Sequence, residues 1–169
     1  MTNLKKKHTP KSKAVKDLEN LALQSLQRRY PNNPYPPQPK YQDNTSNGLT
    51  KCVIDFITLN GFQAERINSI GRSIDTTETV IDVIGRARQI GNVSWIKGSS
   101  TNGTADISSI ILGRSIKIEI KCKATGDNYQ SKDKIAYQKE IEAAGGVYVI
   151  ARTFEGFKEW YQKFIENGK

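Results

Sequence analysis

Apolar and charged residues alternate strictly between residues 116 and 123, and this alternation constrains the fold more than any other feature. The apolar positions are Ile116, Ile118, Ile120 and Cys122. A period of two predicts a β-strand with one buried face. The stretch from Ala105 to Leu112 predicts a partner strand, and Gly113-Arg114 between the two fits a two-residue turn with glycine first. The sequence therefore predicts an antiparallel hairpin.

The predicted hairpin brings three charged side chains to one face. If Leu112 faces Ser115, Asp106 lies opposite Lys121 and on the same face as Glu119. Neighbouring strands lie about 4.8 Å apart and same-face residues along a strand about 7 Å apart, so the three side chains can converge. A shift of the pairing by one residue would move Asp106 to the opposite face.

Two carboxylates that share a site repel each other unless a cation lies between them. Hard oxygen ligands of this kind suit Mg²⁺ or Mn²⁺, and a neighbouring lysine can position the water that attacks a phosphodiester. The alternative is a solvated strand face, because lysine and glutamate alternate on many exposed strands. The Glu-x-Lys spacing alone favours this alternative.

Four short motifs follow one another in a specific order. They are Gly103-Thr104-Ala105-Asp106, Glu119-Ile120-Lys121, the segment from Ser131 to Gln138, and Gly145-Gly146-Val147-Tyr148. In this order they resemble the PD-(D/E)XK nuclease superfamily, and within it the small VRR-NUC (virus-type replication-repair nuclease) proteins of phages and bacteria. The resemblance covers roughly residues 49 to 161.

The resemblance implies an α/β fold of the restriction-endonuclease-like kind, with a mixed sheet in an αβββαβ core flanked by helices. Asp106, Glu119 and the Ile120 carbonyl are implied to bind Mg²⁺ or Mn²⁺, and Lys121 to serve the hydrolytic water. The implied activity is an endodeoxyribonuclease that leaves a 5′-phosphate and a 3′-hydroxyl. Stand-alone relatives imply a homodimer that acts on branched DNA, such as Holliday junctions, in replication, repair or recombination.

The resemblance also identifies supporting positions, and this chain departs from the family at some of them. The supporting residues are Thr104, Ser131, Lys134 and Gln138. Similar proteins often have glutamine where Lys134 stands, and Gln138 in the next turn is a candidate replacement. Related nucleases often carry a metal-binding glutamate on the opening helix, where this chain has Asn47 and Gly48. Asp55, two turns further on, is the candidate substitute, and a second metal position stays open.

A further group of residues is predicted to contact nucleic acid. It comprises Arg66, Asn68, Arg72, Arg86, Arg88, Lys97 and Lys123. Residues 80–84 and 93–96 predict a β-hairpin that carries several of these cations, and such a ribbon suits a DNA groove or a branch point. The alternatives are surface arginines beside turns and a packing role for Trp95.

The chain divides by charge into an arm, residues 1–46, and a body, residues 47–169. The first forty residues carry nine lysines and arginines against two acids, whereas the remaining residues are nearly balanced. The arm should comprise a basic tail, a helix capped by Ser12 and a proline-rich linker. It either binds DNA phosphates or serves as a solubilising tail or partner-binding helix. The body should open with a helix capped by Asn47.

Several classes of protein are excluded or disfavoured. His8 is the only histidine, which argues against a Ser-His-Asp hydrolase or a histidine-metal nuclease. Cys52 and Cys122 lack metal-ligand spacing and are expected to be buried free thiols in a reducing compartment. No apolar run is long enough to span a bilayer, and no secretion signal is recognisable, so we expect a cytoplasmic protein. A DNA-binding accessory protein on an inactive nuclease fold is the alternative function.

Overall fold

The computed structural model describes residues 10–67, 71–96 and 101–168, and these residues include a four-stranded mixed sheet and four α-helices. The helices are α1 (Lys13–Arg29), α2 (Ser46–Leu59), α3 (Lys132–Ala143) and α4 (Phe154–Asn167). The strands are β1 (Gln63–Arg66), β2 (Arg72–Asp75), β3 (Glu78–Ile81), β4 (Ala87–Ile90), β5 (Val93–Ile96), β6 (Ile107–Ile111), β7 (Arg114–Ile120) and β8 (Val147–Ala151). The predicted α/β class with a mixed sheet is confirmed. Among the described residues, no helix has the length and apolar character needed to cross a membrane.

The mixed sheet has the strand order β1-β6-β7-β8. β1, β6 and β7 are antiparallel neighbours, while β8 runs parallel to β7 after the chain has crossed over through α3. As the alternation predicts, one face of β7 is apolar and buried. Its members are Ile116, Ile118 and Ile120, which belong to the core shared with α1, α2 and α4.

The turn between β6 and β7 differs from the prediction by one residue. Ile111 pairs with Arg114, so the turn is Leu112-Gly113, and both turn residues have positive φ, 51° and 75°. A two-residue turn of this type needs left-handed backbone at both positions, and glycine supplies the second. Moving the turn by one residue shifts the pairing by two, so Asp106 keeps its predicted face.

The two N-terminal helices begin with hydroxyl caps. Ser12 caps α1 by accepting from the Val15 amide, as predicted. The predicted Asn47 cap of α2 is wrong, because the Thr45 side chain accepts from the Gly48 amide at 3.0 Å and the helix begins at residue 46. Asn47 therefore lies inside the first turn of α2.

Helix α1 packs into the same core as the body. Its apolar stripe is buried against α2 and α4 and consists of Ala14, Val15, Leu18 and Ala22. The Lys158 ammonium of α4 donates to Asp17 at 2.6 Å. Residues 31–45 form neither helix nor strand, as the prolines predict. Cys52 and Cys122 are buried and unpaired, also as predicted.

The segment from Arg72 to Ile96 forms a long two-stranded ribbon. β2 pairs with β5 and β3 pairs with β4, both antiparallel and in one continuous register. The predicted pairing of residues 80–84 with 93–96 is therefore wrong. The Asp82 carboxylate accepts from the amides of Ile84 and Arg86, which places the turn there.

Candidate active site

A cavity of about 180 Å³ lies where β6 and β7 present their polar face. Asp106 immediately precedes β6, and its Oδ2 accepts from the Ile120 amide at 2.8 Å. The Asp106 carbonyl accepts from the Ile67 amide at 2.8 Å, which ties the same residue to the end of β1. These two bonds fix Asp106 beside Glu119. The cavity is lined by Ser46, Asn47, Thr50, Arg66, Asp106, Glu119, Ile120, Lys121, Asp127 and Lys134.

Glu119 is the most constrained residue of the site, with 0% of its surface exposed. Its Oε1 bonds the Lys134 ammonium and lies 3.5 Å from the Lys121 ammonium. Its Oε2 is buried with no hydrogen-bond partner among the described residues. Burial raises the pKa of Glu119, and the charge of Asp106 adds to the rise, while Lys134 and Lys121 oppose it. The Tyr148 hydroxyl is the other buried polar side-chain atom without a partner among the described residues, and it lies near Glu119. A cation or this hydroxyl would satisfy the unpartnered oxygen.

Lys121 is held between two carboxylates. Its ammonium lies 3.0 and 3.2 Å from the two oxygens of Asp127, and only 8% of the residue is exposed. Asp127 did not figure in the sequence prediction, because it follows β7 in a loop where periodicity carries no information. Gly126, with φ of 73°, ends the short 3-10 turn Lys123–Thr125 and places Asp127 there. Asp127 thus joins the site as the partner of Lys121.

Lys134 reaches the carboxylates from the first turn of α3. Its ammonium bonds Glu119 and lies 3.6 Å from Oδ1 of Asp106. Ser131 caps α3 as predicted, accepting from the Lys134 amide at 3.4 Å. Gly103 lies so close to this turn that a Cβ there would be 2.4 Å from the Asp133 carbonyl carbon. The backbone before Asp106 and the start of α3 are therefore packed together.

The first turn of α2 forms the opposite wall. Asn47 lines the cavity, and its Oδ1 accepts from Arg66 at 3.2 Å. Asp55, the candidate substitute for the missing glutamate, instead bonds the Tyr41 hydroxyl and Lys51 outside this cavity. In the described ranges no three Asp, Glu, His or Cys side chains form a metal-binding group. Three carboxylates of the described residues line the cavity, but Asp127 is paired with Lys121, so Asp106 and Glu119 are the two left to bind a metal ion.

The remaining predicted residues lie elsewhere or cannot be placed. Thr104 and Gln138 do not line the cavity, and Gln138 bonds Gln130 and Glu142 instead. Of the predicted nucleic-acid contacts that fall on described residues, Arg66 alone lines it. Four other predicted contacts are described and lie away from the cavity: Arg72 at the base of the ribbon, Arg86 and Arg88 near its tip, and Lys123 after β7. Asn68 and Lys97 lie outside the described residues.

Arg66 and Tyr148 complete the site. Arg66 lines the same cavity as the carboxylates, whereas Arg88 pairs with Asp82 at 3.3 Å within the ribbon. Tyr148, on β8, has a pKa raised by burial and then by the charge of Glu119. Its place in the Gly-Gly-Val-Tyr motif is the sequence signal for this neighbour.

Comparison with known proteins assigns no function to this site. No protein-family model matches the chain, and no characterised protein and no solved structure is significantly similar to it. Its function is therefore inferred from the residues of the cavity and from the order of motifs in the sequence.

Proposed function

We propose that the protein is a divalent-metal-dependent DNA endonuclease of the VRR-NUC type that hydrolyses phosphodiester bonds in branched DNA. The observation that carries the proposal is the convergence of Asp106, Glu119 and Lys121, with one buried oxygen of Glu119 that has no partner in the part of the chain that the structure describes. Such a buried acceptor is costly in a purely structural site. The chain order α2-β1-β6-β7-α3-β8 around the mixed sheet supports a restriction-endonuclease-like core.

The donor set fits Mg²⁺ or Mn²⁺, because both ions prefer oxygen ligands. Asp106, Glu119 and the Ile120 carbonyl would hold the ion, which supplies Lewis-acid polarisation of the phosphate when bound. The Ile120 amide orients Asp106 so that Oδ1 faces the cavity. The pairing of β6 with β7 thus sets the position of both carboxylates.

Lys121 and Lys134 take separate roles in the proposal. Asp127 and Glu119 hold the Lys121 ammonium in one place, where it can orient the attacking water. Lys134 is less buried, and its ammonium neutralises the carboxylate pair. Arg66, held by Asn47, is placed to bind a phosphate oxygen next to the scissile bond.

The test is a cleavage assay on labelled four-way junction, flap, duplex and single-stranded DNA with Mg²⁺, with Mn²⁺ and with EDTA. We expect metal-dependent cleavage of the junction, reduced at least about 100-fold in Asp106→Ala and in Lys121→Ala. Glu140→Ala on α3 and Lys163→Ala on α4 are matched controls, because both side chains are exposed and line no part of the cavity. Undiminished cleavage by either active-site variant refutes the mechanism.

One observation favours a second candidate, a DNA-binding accessory protein without activity. The first turn of α2 has no acidic residue, and Asp127 is paired with Lys121, which leaves Asp106 and Glu119 as the carboxylates available to a metal ion in the described part of the site. This candidate predicts junction binding without cleavage under every metal condition. The same substrate panel therefore separates the two functions.

We further propose that the chain acts as a homodimer. The ribbon supports this, because Ile81, Val93 and Trp95 are 71%, 63% and 66% exposed. A lone two-stranded ribbon is marginally stable in water and gains from a covering partner. Light scattering should give about twice the chain's 18.9 kDa.

A further inference from the structure

A second cavity adjoins the candidate active site and is lined by three lysines. It has a volume of about 550 Å³, and Lys11, Lys40 and Lys51 form much of its wall. Among the residues that the structure describes, no carboxylate lines it. Asn47 lines this cavity and the active-site cavity alike, so the first turn of α2 separates the two. We call it the lysine cavity.

The walls of the lysine cavity are held rigidly together. The Tyr41 amide donates to Glu19 at 2.9 Å, and its hydroxyl donates to Asp55 at 2.8 Å. Gly48 approaches the linker so closely that a Cβ there would lie 2.3 Å from the Gln42 carbonyl oxygen. The linker therefore packs closely against α2, and these two segments carry Lys40 and Lys51.

Two of the three lysines of the lysine cavity are ion-paired, and the third is not paired with any described residue. Lys11 bonds Glu19 and Lys51 bonds Asp55, although neither acid lines the cavity. Each ammonium has three donors, so one bond fixes it and leaves two for a ligand. Lys40 is exposed and makes no ion pair with any described residue. The cavity therefore has donors and positive charge to offer an anion.

The position of the cavity identifies which anion fits. The N-terminal end of α2 adds positive potential, since its first turn carries no acidic residue. A strand whose scissile phosphate lies beside Asp106 and Glu119 can continue across Asn47 into the lysine cavity. Backbone phosphates recur along such a strand whatever its sequence, so lysines suit them as ligands.

We propose that the lysine cavity binds the phosphodiester backbone of the substrate strand next to the scissile phosphate. This inference rests on the proposed function for the identity of the ligand as DNA. It assigns part of the N-terminal arm to the substrate-binding surface, through Lys11 and Lys40. The contact strengthens binding equally for all sequences.

The experiment measures junction binding by fluorescence anisotropy in EDTA, between about 50 and 200 mM salt. We compare wild type, Lys40→Ala and Lys40→Ala/Lys51→Ala with the matched double variant Lys139→Ala/Lys163→Ala. The control removes the same charge from exposed lysines of α3 and α4 that line neither cavity. The slope of log K against log salt should fall by about 0.9 for each lost phosphate contact. It should stay at the wild-type value in the control.

The single variant Lys40→Ala is included in case the double variant misfolds. Lys51 lies 5.1 Å from the Tyr41 ring centre and bonds Asp55, so its replacement can disturb packing, whereas Lys40 makes no such contacts with described residues. Equal slopes for Lys40→Ala, the cavity double variant and the control overturn the inference. Binding in EDTA does not depend on catalysis. A reduced slope in a protein that cleaves nothing therefore refutes the nuclease proposal alone, whereas normal cleavage with an unchanged slope refutes the lysine cavity alone.

Discussion

Replacing Glu119 by glutamine should stabilise the metal-free protein. The wild-type side chain is fully buried, and its Oε2 has no hydrogen-bond partner among the described residues. Glutamine keeps the shape and an oxygen that can accept from Lys134, and it removes the buried negative charge. Its amide nitrogen takes the place of Oε2 and can donate to the Tyr148 hydroxyl, which is also buried without a partner among the described residues. The replacement therefore removes the unsatisfied acceptor while leaving the packing of β7 intact.

The expected gain in the free energy of unfolding follows from the unpartnered Oε2 of Glu119. An unsatisfied buried acceptor costs about 1–3 kcal/mol of unfolding free energy. For a chain of this length, each kcal/mol shifts Tm by about 2–4 °C, so Glu119→Gln should melt about 2–12 °C higher than wild type at neutral pH.

The effect has a defined pH dependence. Burial raises the pKa of Glu119 above its ordinary value of 4.5, so the folded state binds the proton more tightly than the unfolded state. Wild-type stability therefore falls as pH rises through the interval between these two pKa values. Below this interval the carboxyl is protonated in both states, and the advantage of Glu119→Gln should shrink there.

Differential scanning calorimetry in EDTA, from acid to neutral pH, measures this directly. Glu140→Gln on the exposed side of α3 is the control and should match wild type within about 0.5 kcal/mol. Adding Mg²⁺ should raise the Tm of wild type by more than that of Glu119→Gln, since binding to the folded state alone stabilises it. A variant that melts below wild type at neutral pH in EDTA would refute the reasoning.

Two further predictions concern the surroundings of the site. Leu18→Ala, on the buried face of α1, should lower the free energy of unfolding by about 2–5 kcal/mol in urea titrations; a loss below about 1 kcal/mol would mean that α1 contributes little to the core. Gly103→Ala should reduce junction cleavage more than Gly61→Ala. Both glycines have positive φ, but a Cβ at Gly103 would clash with the Asp133 backbone, whereas a Cβ at Gly61 meets no atom within 4 Å. Equal cleavage by the two glycine variants would show that the packing of Gly103 against α3 does not matter for the site.

The polar face of the hairpin was predictable from sequence because its period is two. The same pattern specifies the pairing only to within two residues, because two registers both bury Ile118. The turn determines which register forms. In the observed turn both Leu112 and Gly113 have positive φ, and glycine at the second position favours this conformation. Alternation thus located Asp106, Glu119 and Lys121, while turn chemistry determined that Asp106 lies opposite Glu119.

Other parts of the site were not predictable, for reasons that differ. Asp127 lies in a loop, and loop residues have no periodicity that places them. The ribbon strands have similar β-forming sequences, so propensity could not tell which strand pairs with β5. The apolar stripe of α1 indicated that Leu18 is buried but not what covers it, because a stripe carries no information about its partner.

The burial of α1 against α2 and α4 determines how the N-terminal arm can be studied. A fragment that starts at residue 47 would leave the apolar sides of two helices facing water and would remove Asp17, the ion-pair partner of Lys158 on α4. Such a fragment is expected to aggregate, so its failure to bind DNA would say nothing about the lysines of the arm. Single side-chain replacements in the whole chain are the informative route.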